Sequence, residues 1–129
     1  MIDHTFVDGI LETWYRGSIR MAQVVRHCRS CAKAYGPTIF EIAQFADDMV
    51  PHVTLHDAWR QVERNRAFYL TQGLQWTMVY VRSANPYLDA WLHFFFQKQP
   101  QHSSGVRWVV DSYEQAKQLL RDLKDSKSA

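Results

Sequence analysis

The chain has 129 residues, 47% hydrophobic and 14% aromatic, with a formal net charge of +2. That composition excludes a disordered chain and suffices for one domain with its own core, needing no disulfide or metal staple. So small a charge excludes a strong electrostatic pull toward nucleic acid or an anionic membrane. The start, Met1-Ile2-Asp3-His4, carries neither a basic segment nor an apolar signal core. No apolar run approaches the roughly 20 residues of a bilayer span, so no membrane insertion is expected. Two cysteines fit a reducing cytosol, and a cytoplasmic location is the expectation.

Taken in order, Ile2 to Phe6 and Ile10 to Tyr15 are β-rich runs joined by Asp8-Gly9, a common hairpin dipeptide. Ser18 is placed to cap a first helix reaching Tyr35, with Met21, Val25, Cys28, Ala32 and Tyr35 on one face. Gly36-Pro37 closes it and opens a strand from Thr38 to Phe45. A turn-like loop, 46–53, leads to a second helix from Thr54, its expected N-cap, to Gln72. Gly73 stops that helix, and Leu74 to Val81 predicts a buried central strand. Asn85-Pro86 opens a third helix, with proline where its missing N–H is harmless. A polar loop, 97–104, precedes the last strand, Val106 to Val110. Asp111-Ser112-Tyr113-Glu114 predicts a capping box for a fourth helix striped by Ala116, Leu119, Leu120 and Leu123.

Strands alternating with helices predict an α/β domain. The expected architecture is a mostly parallel sheet of about five strands, an N-terminal β-hairpin and four helices. Residues 1–124 form the expected domain and 125–129 a polar tail that frays.

The order hairpin, helix, strand, helix, strand, helix, strand, helix resembles the STAS family, in particular its SpoIIAA-like bacterial members. The resemblance runs from Asp8-Gly9-Ile10-Leu11-Glu12 to Val106-Arg107-Trp108-Val109-Val110 and the Asp111 to Ala116 helix start. It implies a regulatory, non-enzymatic interaction domain. Phosphorylatable members carry an Asp-Ser-Ser/Thr-Gly-like turn before the second helix. Here that region reads Asp47-Asp48-Met49-Val50-Pro51-His52-Val53-Thr54, and Thr54, the hydroxyl nearest the expected place, is explained by capping.

Candidate chemistry is sparse. Cys28 and Cys31 form a Cys-x-x-Cys, but no second pair completes a zinc set, and both sit late in a helix on its apolar face. They read as core thiols, and no metal or cofactor is expected. His52 and His56 straddle a helix start and need not share a face, while His4, His93 and His102 are scattered. Glu41 lies inside a strand, where partial burial would shift its pKa upward, and reads as an edge-facing carboxylate rather than a catalytic acid. Arg60, Arg64 and Arg66 near Trp59 are interrupted by Glu63 and read as a solvated face, not a nucleic-acid patch.

The third helix is the anomaly, because Tyr87 to Phe96 is apolar almost all round. Leu88, Leu92 and Phe95 make one stripe, Tyr87, Trp91 and Phe94 a second, and Phe96 falls outside both. One stripe covers the sheet, so the other needs the second helix, a partner or a ligand. The carboxyl end of the sheet gathers the 46–53 loop, Asn85 and the third-helix start, where open α/β sheets bind ligands. Asp47, Asp48, Thr54, Asn85, Tyr87, Trp91 and Phe94 are therefore the candidate partner- or ligand-binding residues. The leading expectation is a non-enzymatic protein-interaction domain, self-associating through the third helix or engaging another protein. The alternative is a small-molecule or lipid binder with an apolar pocket between the second and third helices.

Overall fold

The computed structural model describes residues 1–97 and 105–128. Strands β1 (Ile2–Val7) and β2 (Ile10–Tyr15) form the antiparallel hairpin, turning at Asp8 and Gly9 with φ of 55° and 76°. Positive φ at both central residues is what a two-residue hairpin turn demands, and Asp-Gly tolerates it. Strands β4 (Thr38–Phe45), β6 (Gln75–Val81) and β7 (Gly105–Val110) follow in parallel, giving the order β1-β2-β4-β6-β7. The α/β, mostly parallel five-stranded sheet with its antiparallel N-terminal hairpin is thus as the sequence predicts.

The first helix begins later than expected. Ser18–Ile19 is a short strand, β3, paired with Val50–Pro51, β5, which lies within the expected loop. The amides of Val50 and His52 donate to the Gly17 and Ile19 carbonyls at 2.8 Å each. These bonds keep Ser18 extended, so α1 runs Met21–Tyr35, and the Arg20 amide donates to the Gln23 side chain at 2.8 Å. Helix α2 (Leu55–Gln72) starts as expected, with Thr54 Oγ1 accepting from the Asp57 amide at 3.1 Å. It ends at Gly73, left-handed with φ 65°. Asn85 caps α3 (Pro86–Gln97) by accepting from the Tyr87 amide at 3.0 Å.

Helix α4 (Tyr113–Ser128) has its capping box one residue later than predicted. Ser112 Oγ accepts from the Gln115 amide and Gln115 Oε1 accepts from the Asp111 amide, so Gln115 does what the sequence assigned to Glu114. The polar residues Asp125 and Ser126 belong to this helix. Residues 98–104, including His102 and most of the expected polar loop, lie outside the described residues, as does Ala129.

Alternation along the strands divides the core in two. On one face Leu11, Ile39 and Trp76 pack with Cys31 and Ala32 of α1, and Ala43 and Tyr80 pack with Leu88 and Leu92 of α3. On the other, Phe40, Ile42 and Val79 meet Ala116 and Leu120 of α4. Among the described residues no helix is long and apolar enough to cross a membrane. Leu120 is fully buried at the centre of the second core, so Leu120→Ala is expected to cost about 3 kcal/mol in urea unfolding. Leu70→Ala, at a site 54% exposed, is the control expected to cost well under 1 kcal/mol.

Candidate functional site

Glu41 sits in the middle of β4 between Phe40 and Ile42. Since those neighbours face α4, alternation turns Glu41 toward α1, α2 and α3, where only 2% of it is exposed. Its carboxyl is held from both sides. Thr13 Oγ1 of β2 donates to Oε2 at 2.6 Å, and the Trp76 indole of β6 donates to Oε1 at 3.1 Å. Both partners are diagonal cross-strand neighbours, because Glu41 pairs in register with Leu11 and Met78. Burial pushes the carboxyl above the ordinary glutamate range, opposed in part by these two hydrogen bonds. The expected edge-facing carboxylate is corrected here: β4 is the central strand, and its alternation buries the side chain.

Above this carboxyl lies a cavity of about 190 Å³, roofed by the three helices. Val25 and Cys28 of α1, Val62 and Tyr69 of α2, and Trp91 and Phe95 of α3 contribute apolar walls. Asn65, Arg66 and Arg107 bring polar groups to the same lining. Glu63 and Arg66, whose side chains are 59% and 37% exposed, mark the outer rim, their charged ends 3.7 Å apart. The Arg66 Nε is buried without a hydrogen-bond partner among the described residues. Arg107 donates to the Phe96 carbonyl at 3.4 Å, and burial lowers its pKa.

The other titratable groups around the cavity stay neutral. Burial, with Glu41 nearby, pushes the Cys28 thiol up to about 12 and raises the Tyr15 phenol. Tyr69 is raised by burial first and then by Cys28. A thiol held protonated is a poor nucleophile, so this lining is suited to holding a molecule rather than attacking one.

The seven residues expected to form the site do not gather as one set: Asp47 and Asn85 meet, and Trp91 lines the cavity. Asp47 and Asp48 are exposed; the Asn85 side chain donates to the Asp47 carbonyl at 3.0 Å, and Asp48 accepts from the Gly17 amide at 3.3 Å. Thr54 is occupied as a cap. Tyr87 is 88% and Phe94 54% exposed, outside the cavity. Trp91 alone of the set lines it, stacked on Phe95 with centroids 5.1 Å apart. Phe96, outside both expected stripes, stacks on Tyr80 at 4.5 Å. The expected contact between α2 and α3 is made by Trp59, whose indole donates to the Phe95 carbonyl at 3.1 Å. Arg60 and Arg64 are exposed, whereas Arg66 reaches the cavity.

Asn65, Arg66 and Arg107 are lining groups that sequence reading missed, whereas Glu41 was read as open to partial burial but not as part of a site. For Glu41 the signal was present: an acid at the same parity as Ile39 and Ala43 inside an apolar strand. No family model, curated protein or solved structure matches the chain.

The raised Glu41 pKa has a definite consequence for stability. A carboxyl with a folded pKa above its unfolded value stabilises fully below the unfolded value, here near 4.5, and that contribution is lost as pH rises through the folded value. The unfolding free energy of the native chain is therefore expected to fall over this window relative to Glu41→Gln, whose amide does not ionise there. Parallel pH profiles for the two proteins in urea titrations would remove Glu41 as the source.

Proposed function

We propose that the domain binds a small, mostly apolar molecule in the cavity beneath α1, α2 and α3, with Glu41 reading one polar group on it. The observation that carries this reading is a buried carboxyl in the lining of a mostly apolar space. An unoccupied apolar cavity needs no acid, and an acid there costs stability unless something offsets its burial. The cavity is slightly larger than the ~150 Å³ apolar cavity that takes up benzene, so the ligand is a single ring or short chain with one hydrogen-bonding group. Glu41 is placed to hydrogen-bond one polar group of such a molecule, while the aromatic walls contact the apolar body. The lining thiol and phenols are held neutral, which supports binding without catalysis. The STAS-like order of elements supports a regulatory, cytoplasmic setting in which ligand occupancy is the signal.

A second reading rests on α3. Tyr87 and Phe94 are large rings left exposed on a helix whose opposite stripe is fully buried. Exposed aromatic surface of this kind supports self-association or a protein partner at the same helix that roofs the cavity. Occupancy and assembly would then be read by one element.

Native mass spectrometry on freshly purified protein, followed by titration with indole, tests the first reading. Calorimetry is expected to give a saturable heat of binding, and Glu41→Gln is expected to weaken binding at least several-fold. Absence of both a retained mass and any saturable response would end the cavity reading. For the second, sedimentation velocity is expected to show a dimer that Tyr87→Ser with Phe94→Ser reduces to monomer while indole binding persists. A native chain that stays monomeric at high concentration, or a dimer indifferent to both substitutions, would exclude α3 as the interface.

A further inference from the structure

A different cluster lies outside the cavity lining, where α1 crosses the hairpin. His27 and Cys31 are four residues apart on α1 and so lie on one face of it. His4 of β1 reaches the same point, its ring 5.3 Å from that of His27. One ligand atom from each of the three lies within 4.8 Å of the others. Cys31 Sγ is already 3.8 Å from both His27 Nδ1 and His27 Nε2. Zinc–nitrogen bonds of about 2.0–2.1 Å and zinc–sulfur bonds of about 2.3 Å place tetrahedral ligand atoms roughly 3.4–3.6 Å apart. The Cys31–His27 pair therefore needs little adjustment. His4 is exposed on an edge strand and has room to make its own.

The hydrogen bonds around the cluster point the same way. Thr13 has a single hydroxyl proton, and it goes to Glu41. Its remaining contact, 3.4 Å to His27 Nε2, is therefore one in which the imidazole N–H donates. That leaves the His27 Nδ1 lone pair for an ion, and a turn of the ring aims it, since Cys31 Sγ lies 3.8 Å from both ring nitrogens. His4 Nε2 is likewise engaged, 3.1 Å from the Tyr35 hydroxyl, leaving its Nδ1 available. Metal-binding histidines are oriented in this manner, one ring nitrogen tied to an oxygen partner while the other faces the ion. Here a hydroxyl relays the carboxylate that usually makes such a contact directly.

We propose that His4, His27 and Cys31 form a three-ligand site for zinc or a similar borderline-soft divalent ion, its fourth position facing solvent beside β1. Two neutral imidazoles and one thiolate suit this class of ion over calcium or magnesium, which take oxygen ligands. On binding, the Cys31 S–H bond is replaced by an S–metal bond and its proton passes to solvent. The metal keeps its oxidation state. Cys28 is not part of the set, so the Cys-x-x-Cys spacing is incidental to the site. The site shares Thr13 with the Glu41 node, but none of its ligands lines the cavity, and it stands whether or not a molecule binds there.

Cobalt(II) is the probe, added to untagged, chelator-treated protein. Tetrahedral d–d bands and a thiolate-to-cobalt charge-transfer band are expected to saturate at one equivalent and to be bleached by zinc. Cys31→Ser should abolish the charge-transfer band, whereas Cys28→Ser should leave it. His4→Ala, at an exposed position that leaves the core intact, should weaken binding at least tenfold, with circular dichroism unchanged. Thr13→Val, which removes the oxygen partner of His27 and with it the Thr13 bond to Glu41, should weaken it by roughly tenfold or more. The proposal is overturned by the absence of a charge-transfer band, by a band that survives Cys31→Ser, or by affinity indifferent to His4→Ala.

Discussion

One buried carboxyl ties the centre of this fold together. Glu41 accepts hydrogen bonds from Thr13 on β2 and Trp76 on β6, so three adjacent strands share a single polar node on the helix-covered face. Backbone ladders alone tolerate sliding where side chains are interchangeable; a node with one acid, one hydroxyl and one indole has a single correct alignment. The node also determines what surrounds it. A carboxyl cannot be packed by alkyl groups without cost, so the helices above it stand off and leave space at its open side.

That space persists because of what the helices carry. Trp91, Phe95 and Phe96 on α3, with Tyr69 on α2, are flat and rigid. They pack by stacking on neighbours, as Phe96 does on Tyr80 and Tyr69 on Trp76, and cannot bend into a void as leucine or methionine would. The aromatic richness visible in the composition is thus spent on walls. The other face is closed differently: Leu120 and Ala116 pack directly on Ile42 and Val79.

Strand order, hairpin and most helix limits were legible because local rules agreed with the fold: Asp8-Gly9, Thr54, Gly73 and Asn85-Pro86 all do locally what their types favour. Ser18 misled because a cap was available in sequence while a partner strand, Val50–Pro51, claimed its backbone from 32 residues away. Such pairing leaves no local trace. The candidate site was read from the strand ends, where the rule for open sheets points, and from helix periodicity. Periodicity found Trp91 but not the direction of Arg66 or Arg107, since arginine on a helix or edge strand looks solvated until the neighbouring layer is in place. His4, His27 and Cys31 were illegible as a set because β1 meets α1 only through the tertiary fold, although the four-residue spacing of the latter two was in plain view.

The division of labour between the sheet faces carries over into the order in which the molecule takes shape. Three helices and most of their face are in place once β6 and α3 have formed, with β7 adding Arg107 at the edge. The second face waits for α4, the last element, and Lys124 on that helix donates to the carbonyl of Asp8 in the hairpin turn, 116 residues earlier, at 2.9 Å. Contacts of such long sequence separation form slowly. During synthesis Phe40, Ile42 and Val79 would therefore stay uncovered until α4 docks, and the growing chain would be most exposed to unwanted association in that interval.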